Sequence, residues 1–213
     1  MDSQAGLIAE IKLNVKTTHS ERLMTAISQV LSQSGIDLRG IDAFAVASGP
    51  GSFTGLRIGL STVKGLSYAT GKPVVTVPTL EAFAWNFPYS RYPVCLMLDA
   101  RRGEVYSALF RWQDEKFIRE IEEVSIAPDD ILSRLRGDIL FAGEGVLVYK
   151  DIITKTMGRR AWVAPADKMV PAPSNVALLG LKKTEQGKFT DPFKAVPFYI
   201  RRSEAEVKCT VSQ

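Results

Sequence analysis

Ser48-Gly49-Pro50-Gly51-Ser52-Phe53-Thr54-Gly55 is the stretch on which the reading of this chain turns. An apolar run, Ile41 to Ala47, leads into it, and a run with small and apolar residues at helical spacing, Leu56 to Thr70, leads out. Strand, glycine turn and helix in that order are the building step of an α/β fold. Free amides at the start of such a helix form a natural anion site. The stretch nevertheless fails both common nucleotide signatures. It has no Gly-x4-Gly-Lys-[Ser/Thr], and Thr54 stands where the dinucleotide pattern places its third glycine. On the residues alone, a phosphate-binding loop and a structural turn both stand.

Working outward, residues 7–15 alternate apolar and polar from Ala9 onward, which predicts a half-buried strand. Thr18-His19-Ser20-Glu21 spells a capping box that opens a helix. Leu23, Ile27, Val30 and Leu31 give that helix one apolar face, and Gly35 closes it. Beyond the glycine turn, Gly71 and Pro73 end the second helix and Val74 to Val77 forms the next strand. The pattern breaks at Pro88, Tyr89, Tyr92 and Pro93, dividing the chain into halves at 1–92 and 93–213.

In the second half, Val94–Leu98 and Glu104–Phe110 read as a hairpin around the turn Asp99-Ala100-Arg101-Arg102-Gly103. A short helix at 129–135, a strand at 139–142 ending in Gly143-Glu144-Gly145, and helices at 146–155 and 174–183 follow. Strands alternating with helices predict an α/β fold with a mixed sheet in each half.

The 213 residues are 46% hydrophobic and 23% charged, with a mean hydropathy of +0.02. Those values describe an ordinary globular protein, and no apolar run reaches the roughly 20 residues of a membrane span. Met1-Asp2-Ser3-Gln4 lacks the features of a secretory signal, so a cytoplasmic location is expected. Residues 150–213 carry 12 Lys/Arg against 6 Asp/Glu, whereas the first 149 carry 15 against 17. A basic C-terminal third fits either a solvated surface or RNA contact through phosphates.

Candidate chemistry is sparse. His19 is the only histidine, so neither a histidine metal cluster nor a His-Asp-Ser triad with a second histidine can be built. Cys95 and Cys209 have no CxxC partner and read as reduced bystanders. Asp99 ends a strand, where α/β enzymes place catalytic carboxylates, but Arg101 and Arg102 beside it fit a turn salt bridge. Gly55, Gly59, Ser61 and Gly65 form a series of small residues that admits another backbone, from this chain or from another.

Four segments in order then match one family. Ser48 to Gly59, continuing through Leu56-Arg57-Ile58-Gly59, resembles the hallmark of the TsaB (YeaZ) family of tRNA threonylcarbamoyladenosine biosynthesis proteins. Thr18-His19-Ser20-Glu21-Arg22-Leu23 resembles the opening of its first helix, and Leu98 to Tyr106 the start of its second domain. Tyr199-Ile200-Arg201-Arg202-Ser203-Glu204-Ala205-Glu206 resembles its C-terminal signature.

The resemblance implies an actin-like, Hsp70-like ATPase fold of two related subdomains, within the TsaD/Kae superfamily. It implies a non-catalytic subunit that binds TsaD and supports N6-threonylcarbamoylation of the adenosine beside the anticodon, in tRNAs reading codons that begin with adenine. TsaE is a further expected member of the complex, a homodimer is expected when the chain is alone, and tRNA is contacted through the complex. No cofactor and no metal are expected. The rival is an active enzyme, either an actin-like ATP-dependent phosphotransferase or a metallopeptidase-like hydrolase.

Carried onto this chain, the implied partner interface takes His19, Glu21, Leu23 and Ile27 from the first helix. From the second it takes Leu56, Arg57, Gly59, Leu60, Val63 and Lys64, beside the loop glycines and hydroxyls Gly49, Gly51, Ser52, Thr54 and Gly55. Members of this family usually open with a strand ending Ile-Asp-Thr-Ser and a return strand. Here the sequence starts near the end of that hairpin, so the first strand is missing or shortened, and with it the first phosphate loop.

Overall fold

The structure, a computed structural model, describes residues 1–13 and 19–201, with the side chains of 19–21 left outside. The chain forms two compact units: Met1–Asn86 with Val170–Pro197, and Phe87–Met169 with the chain from Phe198. The expected division assigned everything after residue 93 to one half. The segment 170–197 instead belongs with the first unit, because its helix covers a sheet face there that would otherwise stay open.

In the first unit, α1 (His19–Ser34) is followed by a 3-10 turn at Leu38–Gly40, β1 (Phe44–Gly49), α2 (Phe53–Thr70), β2 (Val74–Pro78) and α3 (Thr79–Ala84). Gly35 ends α1 at φ 68. Its amide bonds the Ser32 carbonyl at 3.3 Å and the Ile36 amide bonds that of Leu31 at 3.2 Å, a paired closure of the last turn. Ser52 caps α2 by accepting the Gly55 amide at 3.3 Å, and Gly71 closes it at φ 69. The expected capping box includes Thr18, which lies outside the described residues, as do residues 14 and 15 of the expected first strand.

β1 and β2 pair in parallel, with Phe44 opposite Val74 and Val46 opposite Thr76. Strand alternation sorts the side chains into two layers. Val46 and Val74 pack with Leu60, Val63 and Ala195 on one face. Val75 and Val77 pack with Ala82, Leu179, Val176 and Trp85 on the other, where α7 (Pro173–Glu185) lies. Gly180 of α7 sits so close to β1 that an added Cβ would overlap that of Ala45. The outer edge of β2 is occupied by Thr190, whose amide bonds the Val74 carbonyl at 2.8 Å, and by Lys183, which donates to the Thr76 carbonyl at 2.9 Å.

A strand was expected over 7–15 and a mixed sheet in each half. Residues 7–13 are not in a strand, and among the described residues the first unit's sheet has only its two parallel strands. Alternation alone cannot hold a strand without a ladder partner. Glu10 instead accepts the Ser174 amide at 2.8 Å, and Lys12 donates to the Val170 carbonyl at 2.9 Å.

The second unit contains a five-stranded sheet in the order β5-β4-β3-β6-β7. β3 (Val94–Arg101), β4 (Glu104–Gln113) and β5 (Lys116–Ile126) are antiparallel neighbours, whereas β3, β6 (Ile139–Ala142) and β7 (Ala161–Val163) run parallel. The mixed sheet expected here is present. Both hairpins close on two-residue loops at positive φ, Arg102 (55°) with Gly103 (79°) and Asp114 (49°) with Glu115 (59°), and Arg101 just before the first loop is at positive φ (63°) too. That geometry matches the right-handed twist of the flanking strands.

α4 (Pro128–Arg134), α5 (Glu144–Val148) and α6 (Lys150–Met157) complete the unit. The single helix expected at 146–155 is broken at Tyr149, whose φ of −109 and ψ of 24 leave the helical region. Phe110, Phe141, Leu96, Met97, Ile131 and Ile153 are fully buried in this core.

Gly180→Val should weaken the first unit by about 1–3 kcal/mol, because the added atoms meet β1 and α7 must withdraw. A shift of the denaturant midpoint to lower concentration would measure it, with Gly65→Val, at a helical glycine of α2 that faces open space, as the unpacked control.

Candidate functional site

The glycine turn is built from its own hydrogen bonds. Gly49 has φ 123, a conformation that L side chains rarely adopt, and its amide donates to Thr79 Oγ1 at 3.1 Å. Ser48 Oγ donates to the Val77 carbonyl at 3.2 Å. Two amides that a bound anion could use, those of Gly49 and Gly55, are thus committed to Thr79 and Ser52. Gly51 stands with nothing within 4 Å of an added Cβ, and Ser52 and Thr54 are exposed.

The second unit repeats the arrangement, since β6 passes through Gly143 into α5, which opens with Glu144 and Gly145. A Cβ on Gly143, at φ 114, would overlap the Met97 carbonyl, and one on Gly145 would lie 2.9 Å from it. Glycines here let the turn lie against the β3 backbone. Asp99 accepts the Arg101 amide at 2.9 Å and pairs with the Arg101 guanidinium at 3.3 Å, which is the turn salt bridge. Burial first, and then the charge of Asp99, push the Glu144 carboxyl above its ordinary value, opposed by the amides of Glu144 and Asp99.

Glu104, which opens β4, accepts from Ser125 Oγ at 2.7 Å and pairs with Arg201 at 3.3 Å. The Ser125 hydrogen bond chiefly, helped by Arg201, holds this carboxyl below its usual range. Arg201 also donates to the Ala100 carbonyl at 3.4 Å. Arg201 therefore ties the C-terminal signature to the β3–β4 turn, while residues 202–206 of that signature lie outside the described part. Cys95 is fully buried, and burial pushes its thiol up to about 12, so it is inert. Cys209 lies outside the described residues. Among the described residues, no group of three or more His, Cys, Asp or Glu side chains is placed to hold a metal ion, and no helix is long and apolar enough to cross a membrane.

The helix residues expected at a partner interface divide into two sets. Leu56 is 9% exposed and Leu60 3%, both facing the sheet. Gly59 faces Val46, 3.7 Å from an added Cβ, and Val63 packs on the same cluster. These four serve the unit's own core, because they lie on the turn of α2 that covers β1. Arg57 is exposed with its guanidinium 3.8 Å from the Phe53 ring centroid, and Lys64 is half-buried.

The outward stripe of α2 consists of Phe53, Arg57, Ser61, Gly65 and Tyr68, of which Tyr68 is 85% exposed. Spacings of four, four, four and three could have located it from the sequence. On α1, Leu23 and Ile27 are only half-buried and Met24 is exposed; Arg22 to Ser34 contains no fully buried side chain. The side chains of His19 and Glu21 are outside the described set.

Glu144→Gln removes a carboxylate whose folded-state ionisation is disfavoured. The wild-type penalty is present at neutral pH and fades as pH falls through the raised folded value towards the ordinary 4.5. The variant should therefore be the more stable protein at pH 7, with the gap closing below pH 4.5, as read by thermal unfolding across pH.

A family profile described as "TsaD: tRNA N6-adenosine threonylcarbamoyltransferase" matches residues 7–209. A tRNA threonylcarbamoyladenosine biosynthesis protein TsaB from Bacillus subtilis (strain 168) is 31% identical over 97% of this chain and 90% of its own length. The protein of the same name from Escherichia coli (strain K12) is 29% identical over 88% and 82%. A solved structure, YeaZ from Pseudomonas aeruginosa, superposes with a TM-score of 0.73 at 26% identity, covering 86% of this chain and 85% of that one. The two α/β units, each with a sheet flanked by helices, are those of the actin-like ATPase fold. By its match along nearly its whole length, this chain belongs to the TsaB (YeaZ) family, within the wider family to which TsaD gives its name.

Proposed function

We propose that this chain acts in tRNA threonylcarbamoyladenosine biosynthesis as a non-catalytic subunit, in the cytoplasm, that binds a TsaD protein and supports its transfer of threonylcarbamoyl to adenosine. The names of the relatives support the pathway. The observation that carries the subunit reading is the helical surface of the first unit. α1 carries an apolar face that its own unit only half covers, and α2 presents Phe53, Arg57, Ser61, Gly65 and Tyr68 outward. Helices with a spare apolar face beside a small residue suit a helix-against-helix interface, in which aromatic and arginine anchors carry most of the energy. The same surface serves a homodimer when the chain is alone and yields to TsaD in the heterodimer, with TsaE joining the complex.

Light scattering after size exclusion, on the chain alone and mixed with TsaD from the same organism, tests this reading together with transfer to tRNA on each fraction. A heterodimer, and transfer only when both chains are present, is the expected result; transfer by this chain alone would overturn it. Gly65→Arg adds bulk at an open position on the outward stripe. It should lower TsaD affinity at least tenfold, about 1.4 kcal/mol, with thermal stability kept or slightly raised, because arginine is a better helix former than glycine.

A further inference from the structure

In the second unit, β3, β6 and β7 are parallel and enter the sheet at the same end, with Val94 opposite Leu140 and Leu140 opposite Trp162. The residues just before each strand therefore gather there: Arg91 and Tyr92 before β3, Arg136 and Asp138 before β6, Arg159 and Arg160 before β7. All of these but Tyr92 are exposed, giving four arginines against one aspartate. Asp114 and Glu115 lie at the opposite side of this end, beyond β4. Three strand spacings, roughly 14 Å, separate β4 from β7.

Two rings lie among these arginines. Tyr92 stacks on Trp162 with centroids 5.3 Å apart and planes at 22°. The Arg91 guanidinium stands 5.5 Å from the Tyr92 centroid. Trp162 is nevertheless 49% exposed, and Val163 beside it 48%, on a strand at the edge of the sheet. A large indole supported from one side and left open beside several guanidinium groups has the chemistry of a nucleobase platform with phosphate partners. Neither the aromatic pair nor the arginines are accounted for by the helical surface of the first unit.

We propose that this end of the second unit's sheet takes an unpaired nucleotide of the tRNA substrate, its base stacked on Trp162 and its flanking phosphates held by Arg159, Arg160 and Arg91. The proposal rests on the tRNA-modification reading and adds to it a direct contact between this subunit and RNA. Base stacking is sequence-tolerant, so the site selects an exposed base rather than a particular one. Guanidinium–phosphate contacts release counterions and make the contact salt-dependent.

The test is filter binding of unmodified tRNA transcript, across a salt series, by the chain alone and by its complex with TsaD. Variants are Trp162→Ala, Trp162→Phe and the pair Arg159→Glu/Arg160→Glu, with light scattering to follow complex formation. Trp162→Ala should weaken tRNA binding roughly 5- to 100-fold without altering the salt slope, while Trp162→Phe should restore most of it. The arginine pair, on an exposed turn, should reduce the slope by about 1–2. Wild-type affinity and slope in the alanine and arginine variants would overturn the proposal, as would equal, Trp162-independent binding of a perfect RNA duplex. So would loss of complex formation in the Trp162→Ala variant, which would make this surface a protein interface. Failure of the wild-type chains to associate would count against the subunit reading instead. Absence of tRNA binding by both wild-type preparations would count against this site.

Discussion

The first unit depends on the approach of α7 to β1. Two parallel strands alone do not make a stable sheet, so their faces must be sealed by other elements. α2 seals one face through Leu60 and Val63. α7 seals the other through Leu179 and Val176, brought close by the missing side chain at Gly180. Everything else in the unit follows from that sandwich. Because the inner face of α2 is spent on Val46 and Val74, its outer face is left for Arg57, Ser61, Gly65 and Tyr68. Because α7 supplies the second cover, α1 is free of core duties and keeps its apolar side chains half in solvent.

The second unit solves the same problem with five strands. β3 is buried along most of its length, flanked by the antiparallel β4 on one side and the parallel β6 on the other. Gly143 and Gly145 let the turn after β6 lie against the Met97 carbonyl. That leaves Asp99 and Glu144 near one another at one end of the sheet, where the Arg101 pair and the backbone amides absorb their charge. The opposite end collects the arginines and the Tyr92–Trp162 stack.

Much of this was readable from residue order. The glycine turn marked β1 and α2, Gly35 and Gly71 marked the helix ends, and Ile139–Ala142 was a strand at its full length. β5 was missed although Lys116 to Glu123 alternates in exposure, because Asp114-Glu115 lacks the glycine that usually announces a two-residue hairpin. β7 is three residues long and paired on one side only, too short for periodicity to register. The candidate interface was legible as far as the helices, and not as far as their faces. Small residues on α2 point both ways, with Gly59 towards Val46 and Gly65 into open space, and only the position of β1 tells them apart.

The return of residues 170–197 to the first unit also bears on how the protein is made. A ribosome adds about 5–20 residues per second, so the 83 residues between Asn86 and Val170 take roughly 4–17 s to synthesise. During that interval nearly all of the second unit, a continuous stretch, can emerge and fold, while Val75 and Val77 wait for their helical cover. An early part of the nascent chain is thus completed by a late one, and the exposed sheet of the unfinished first unit is the surface that a chaperone would meet.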